Sequence, residues 1–256
     1  MEYFVATESD AGIKRAVNQD ALFVKEYAAR GGNVVFAVLC DGMGGLQYGE
    51  IASASVIEAF SSWADRVLPM IDAQDLEDHF VRKEWTDIIS EENQKLRLYG
   101  QNNNCVVGST VTALLLTESR YYVLNIGDSR AYQIGDEVKQ LTEDHTVIAE
   151  EIRKGNMSEA QASASPMKSV LTRCIGVSAQ VYPDLFFGEP KAQITYLLCS
   201  DGFRHKISPD EMKAHLLPDE EQDPQQQLET GIHTLIELNM SRMETDNISA
   251  IGIYLA

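Results

Sequence analysis

Apolar residues fall into two rhythms along this chain. Short continuous or alternating runs predict β-strands near 3–6, 21–24, 34–39, 110–116, 121–126, 131–134, 194–198 and 248–255. Two longer stretches follow a helical period instead. Within 48–67, Val56, Phe60, Trp63 and Val67 recur on one face, and within 86–98, Ile89 and Leu96 share a face with polar residues between them. A third helix is expected at 229–240, after a polar loop at 217–228. Strand groups separated by helices, with hairpins elsewhere, predict an α+β fold in which helices cover sheets.

Composition narrows the function more than the fold. The 256 residues have length for one large domain, no Pro/Gly/Ser-rich linker divides them, and the 44% hydrophobic content is ordinary for a globular protein. A net charge of -18 argues against nucleic acid and anionic membranes as partners. The first ten residues, M-E-Y-F-V-A-T-E-S-D, lack the basic region and apolar stretch of a signal peptide, and no run has the length of a membrane span. Cys40, Cys105, Cys174 and Cys199 form no C-x-x-C pair, so a reduced, cytoplasmic protein is expected.

The candidate chemistry lies at the strand ends. Asp41 follows V-V-F-A-V-L-C, Asp128 follows Y-Y-V-L-N-I-G, Asp201 follows I-T-Y-L-L-C-S, and Asp246 precedes N-I-S-A-I-G-I-Y-L. A carboxylate at the mouth of a core strand is costly unless positive charge meets it. Four converging carboxylates make an oxygen-rich site that suits Mg²⁺ or Mn²⁺. Asp41 opens D-G-M-G-G and Asp201 lies in S-D-G, where glycine permits a sharp turn. Asp128, in G-D-S-R, equally suits a hydrogen-bonded hairpin turn.

Eight segments in order carry a resemblance: D-x-G-x-x-R-x-x-N-Q-D (10–20), C-D-G-M-G-G (40–45), G-S-T (108–110), N-I-G-D-S-R (125–130), L-T-x-D-H (141–145), L-T-R-x-x-G (171–176), L-C-S-D-G (198–202) and D-N-I-S (246–249). Spanning nearly the whole chain, they resemble the metal-dependent protein serine/threonine phosphatases of the type 2C class, in their compact bacterial form. The resemblance implies a four-layer αββα sandwich, with two antiparallel sheets packed face to face and flanked by helices. It implies one catalytic domain over 1–256, with a flap-like segment at about 146–170; a plain helical connection fits that segment equally well.

The same resemblance implies hydrolysis of phosphoserine and phosphothreonine by a water or hydroxide bridging two Mn²⁺ or Mg²⁺ ions. Asp41 would bridge the ions, Gly42 would offer its carbonyl, and Asp201 and Asp246 would complete one shell. Asp128 would share a third, weaker metal with Asp201. Arg15 would clamp the phosphate with its guanidinium fork, and Asp20 would hold a metal-bound water from behind. Neither a C-x₅-R loop nor G-x-S-x-G is present to supply a protein nucleophile.

Two positions depart from the family pattern. Gln19 stands where many relatives carry Glu, which removes a charge from the second metal. Met43 stands where animal relatives often carry a His proposed as general acid. His145 reads as a buried, hydrogen-bonded structural residue, and Arg130 and Arg173 read as partners of carboxylates or loop carbonyls. The expected partners are phosphorylated proteins and a serine/threonine kinase sharing those targets, with the phosphatase itself a monomer. The other readings are a catalytically silent module that binds phosphoproteins, or a phosphatase of small esters or of an anti-sigma-type partner.

Overall fold

The computed structural model describes residues 2–43, 48–163, 165, 167, 169–219 and 223–256. Gly44 and Gly45 of the D-G-M-G-G motif, and Lys168 at the end of the flap-like segment, lie outside the described residues.

The order of elements is β1 (Tyr3–Asp10), β2 (Asp20–Ala29), β3 (Gly32–Asp41), α1 (Gly49–Val67), α2 (Asp78–Asn103), β4 (Val111–Leu116), β5 (Tyr121–Ile126), β6 (Arg130–Ile134) and β7 (Val138–Gln140). There follow α3 (Val147–Arg153), α4 (Glu159–Ser163), β8 (Asp184–Gly188), β9 (Ile194–Cys199), α5 (Asp201–Arg204), α6 (Pro209–Leu216), α7 (Pro224–Ser241) and β10 (Ile248–Leu255). They build two five-stranded sheets, ordered β1-β10-β9-β6-β7 and β2-β3-β4-β5-β8. Every neighbouring pair in both sheets is antiparallel. The four-layer sandwich expected from the resemblance is the architecture observed.

The pleat of β3 shows how sequence makes these layers. Successive side chains point to opposite faces. Val34, Phe36, Val38 and Cys40 face α1 and α2, where they meet Val56, Phe60, Trp63, Trp85 and Ile89. Val35, Ala37 and Leu39 face the other sheet, packing with Tyr196, Leu198, Ile251 and Ile253. A strand buried on both faces has to be apolar throughout, so β3 reads as a continuous run. A third core lies beyond the second sheet, where Leu228, Ile232, Leu235 and Ile236 of α7 cover Leu197, Cys199 and Ala250. Phe36 is the centre of the first core, with rings of Trp63 and Trp85 at 5.5 and 5.8 Å.

Several boundaries differ from the sequence reading. Helix α2 begins at Asp78, well before residue 86, because Val81 and Trp85 extend its buried face by two turns. Helix α7 begins at Pro224, so the C-terminal part of the expected polar loop 217–228 is helical. Asp223 caps it by accepting from the Gln225 amide, and Pro224 stands at its first position. Helix α6 was not expected, although S-P-D-E encodes a complete capping box between Ser208 and Glu211. Strands β7 and β8 were also not expected, being short and only partly buried.

Candidate functional site

Antiparallel pairing gathers the strand-end aspartates at one rim of the sandwich. Asp41 is the last residue of β3 and faces Asp20, the first of β2, across the ladder. Asp201 follows β9 and opens α5, while Asp246 sits two residues before β10, the neighbour of β9. Asp128 lies in the turn between β5 and β6. Together with Arg15, the side chains of Asp41, Asp128, Asp201 and Asp246 line a cleft of about 490 Å³. Asp20 does not line the cleft; it lies behind Asp41, deep enough that both its carboxylate oxygens are buried.

The backbone under these carboxylates is closely fixed. The Asp41 amide donates to the Thr110 hydroxyl at 3.0 Å, and the Thr110 amide donates back to the Asp41 carbonyl at 2.9 Å. The Gly42 amide donates to the Gln19 carbonyl at 3.0 Å. A Cβ on Gly42 would fall 2.3 Å from the Gly49 carbonyl oxygen, so no larger residue fits between β3 and α1. Gly202 is equally restricted, with the Asn247 carbonyl 2.1 Å from a notional Cβ.

Asn247 is a site residue whose role the sequence did not disclose. Its Oδ1 accepts from the Gln19 amide at 3.0 Å, and its Nδ2 donates to the carbonyls of Ala11 at 3.0 Å and Val17 at 3.2 Å. One side chain thus pins the loop that carries Arg15 against the start of β10. Arg15 in turn donates to Asp246 Oδ2 at 2.9 Å. The resemblance implied a phosphate clamp; the structure sets Arg15 at the cleft, bonded to the Asp246 carboxylate.

Gln19 carries its own surprise. Its Nε2 donates to Glu50 Oε2 at 2.9 Å, so the amide is tied to the first turn of α1. Arg204 and His205 were also missed. Arg204 donates to the Asp128 carbonyl at 3.0 Å and reaches Asp144 Oδ2 at 3.4 Å. His205 stands between Asp201 Oδ2 at 3.5 Å and Glu244 Oε2 at 3.4 Å. These residues lie just after L-C-S-D-G, and only residues 200–203 separate Arg204 from β9, yet nothing in their spacing marks them in the sequence.

His145, Arg130 and Arg173 take up structural positions, as their sequence reading had it. Buried His145 accepts the Gly127 amide at Nδ1 (3.1 Å) and pairs through Nε2 with Asp184 (2.9 Å). Arg173 reaches the other Asp184 oxygen at 2.8 Å, and Arg130 forks onto Asp144 at 2.8 and 2.7 Å.

Burial sets the electrostatics of the rim. It pushes Asp20 and Asp128 up to about 7, with the charge of Asp201 adding to both. Asp41 is held well above the usual carboxylate range by burial and then by Asp20 and Asp201. Asp201 is raised by burial, against the opposing pull of His205 and Arg204. Oδ1 of Asp201 is buried without a hydrogen-bond partner, and the buried Asp20 carboxylate has the hydroxyls of Ser249 and Ser200 to offset its charge. Unpartnered carboxylate oxygens at a cluster of like charge call for cations. Among the described residues no three His, Cys, Asp or Glu side chains form a ready-made cage, so the carboxylates ring the cleft rather than close on one point. As hard oxygen donors with free lone pairs, they fit divalent Mg²⁺ or Mn²⁺.

Comparison with known proteins settles the family. The model of the Protein phosphatase 2C family matches residues 13–230. The chain belongs to the protein phosphatase 2C family. It is similar to the serine/threonine phosphatase stp of Listeria monocytogenes, at 32% identity over 184 residues, or 71% of each chain. Among solved structures, the serine/threonine phosphatase Stp1 from Staphylococcus aureus superposes with a TM-score of 0.85 at 27% identity, covering 100% of this chain and 96% of that one. The catalytic domain of the serine/threonine protein phosphatase PstP, in complex with 2 manganese ions, gives a TM-score of 0.78 at 27% identity over 98% of this chain and 97% of that one. This 2C-family member is a serine/threonine protein phosphatase.

Proposed function

We propose that this phosphatase is metal-dependent, that its carboxylate rim holds two Mn²⁺ or Mg²⁺ ions, and that residues 1–256 act as one catalytic unit on phosphoproteins. The observation that carries the reading is the convergence of Asp41, Asp128, Asp201 and Asp246 with Arg15 on one cleft, where Oδ1 of Asp201 is buried without a partner. Asp41, Asp201 and Asp246 would be the principal ligands, with the Gly42 carbonyl, and Asp128 would serve a third, weaker ion. Such ions supply Lewis acidity and offset the charge that develops during phosphate-ester hydrolysis.

The chain's own residues do the rest. Arg15 exchanges Asp246 for the phosphate and orients it through two parallel N–H donors. Asp20, behind the rim and pushed up to about 7, is placed to hold a proton or accept a hydrogen bond close to neutral pH. Asn247 keeps the Arg15 loop in register with β10. Ester plus water gives alcohol plus inorganic phosphate, and no covalent enzyme intermediate is required. Ser169, at the end of the flap-like segment, and Leu171, just after it, line the same cleft, which supports a part for that segment in seating substrate.

Hydrolysis of a phosphothreonine peptide, with and without Mn²⁺, tests the reading. Turnover should depend on added Mn²⁺ and cease with chelator. Full turnover in metal-free buffer refutes it.

A further inference from the structure

The cleft has two unlike sides. Its floor is carboxylate, and among the described residues that line it Arg15 is the one cation. Its wall is apolar, made chiefly by Val106 and Val177 beside Met43 and Leu171. Val106 is 50% exposed and Val177 43% exposed. Apolar side chains left in solvent beside a reactive cleft mark a place where something apolar docks.

These valines are held rigidly. Their loops are joined by a bridge in which the Ser109 amide donates to the Ile175 carbonyl at 3.2 Å and the Ile175 amide donates back at 2.9 Å. The Met43 amide adds a bond to the Gly108 carbonyl at 3.1 Å, tying the pair to the end of β3. From α2, Asn93 is only 4% exposed. Its Oδ1 accepts from the Gly176 amide at 2.8 Å and its Nδ2 donates to the Ser178 carbonyl at 3.0 Å. Gly176 adopts φ +93°, and a Cβ there would lie 2.5 Å from the Val107 carbonyl oxygen. A buried polar side chain spent on the two residues flanking Val177 fixes that valine's position at the cleft mouth.

We infer that Val106 and Val177 form a subsite for an aliphatic side chain next to the phosphorylated residue of the substrate. The inference rests on the phosphatase reading of the same cleft. With the phosphate directed at the floor, the residues beside it meet the wall. An aliphatic neighbour leaves water there. Among the described residues that line the cleft, an acidic neighbour finds no cation other than Arg15, which the phosphate occupies, and it meets a protein of net charge -18. The substrates this selects are phosphothreonine or phosphoserine segments with aliphatic rather than acidic flanks.

The test compares three phosphothreonine peptides that differ only in their two flanking residues: leucine, serine or glutamate. With Mn²⁺ present, kcat/KM should rank leucine above serine above glutamate, with about tenfold between the first two, the size expected for one apolar group in a matching site. The difference should sit in KM. In the Val106→Ser, Val177→Ser double variant the leucine-to-serine ratio should fall to near one. Equal rates for the three peptides, a glutamate preference, or a ratio unchanged in the variant would overturn the subsite while leaving the phosphatase intact. Should no peptide turn over, the phosphatase reading itself fails, and fluorescence anisotropy of the same peptides then decides the subsite. Binding of the leucine peptide no tighter than the serine peptide rejects it.

Discussion

Arg15 and Gln19 show how a single partner changes what a motif residue can do. Arg15 was legible as a site residue from its place in the N-terminal motif, but its contact with Asp246 was not, because 231 positions separate the two in sequence. With Arg15 as the proposed phosphate clamp, Arg15→Ala should raise KM for a phosphopeptide about tenfold with a smaller fall in kcat. Arg15→Lys should recover little of this, because an ammonium cannot reproduce the fork. Steady-state kinetics on one phosphopeptide checks both, and an unchanged KM would return Arg15 to a structural pair with Asp246.

The motif left open whether the Gln19 amide faces the second metal. The structure places its amide nitrogen on Glu50, which explains why an amide is tolerated there: a carboxylate at 19 would oppose Glu50 directly. Gln19→Glu should therefore lower the melting temperature in metal-free buffer and recover most of the loss in Mn²⁺. A thermal melt showing no difference between variant and parent in chelator would show that the Gln19–Glu50 contact contributes nothing.

At the scale of elements, the readable parts were those with two buried faces or a long apolar stripe. Strands β5 and β10 were legible to the residue because every position in each is buried. Strand β8 was not, because D-L-F-F-G is half-buried along its length and has no strong alternation. It matters nonetheless, because its first residue, Asp184, joins His145 and Arg173 and so ties three segments beside the β5–β6 turn.

That cluster gives a pH prediction. His145 is lowered from its ordinary value by burial, in spite of the bond to Asp184. Asp184 is lowered too: burial opposes this, but His145 and Arg173 prevail. Below about 6.5 the unfolded chain takes up the histidine proton more readily than the native one, so stability falls with falling pH. It falls further below about 3.8, where unfolded Asp184 protonates while the native carboxylate resists. Protonated Nδ1 would also confront the Gly127 amide, donor against donor. His145→Ala should cost about 1–3 kcal/mol at pH 7 from the unpaired Gly127 amide and flatten the slope of stability between pH 7 and 5. Urea unfolding at the two pH values measures this, and an unchanged slope would remove His145 as its source.

For the whole molecule, three apolar layers hold four structural layers together, and the reactive rim is where the strands of both sheets end. The continuous apolar run of β3 and the helical stripes imply sheets covered by helices. The pairing of β1 with β10, and of β9 with both β6 and β10, joins residues far apart in sequence, and no local pattern discloses it. The aspartates were legible because a charge at the end of an apolar run is conspicuous. Asn247, Arg204, His205 and Asn93 were not, since their work is done through contacts that exist only once the sheets are stacked. Phe36→Ala, at the centre of the helix-facing core, should cost about 3–5 kcal/mol, seen as a fall in the urea midpoint with little change in slope.

The central claim is that the rim carboxylates hold divalent cations, and calorimetric titration of Mn²⁺ into the chelator-treated protein addresses it most directly. The parent should bind at least two ions, and Asp41→Asn, which alters a proposed ligand, should lose at least one of these sites while remaining folded by circular dichroism. Absence of Mn²⁺ binding to the parent, or identical isotherms for parent and variant, would contradict the account.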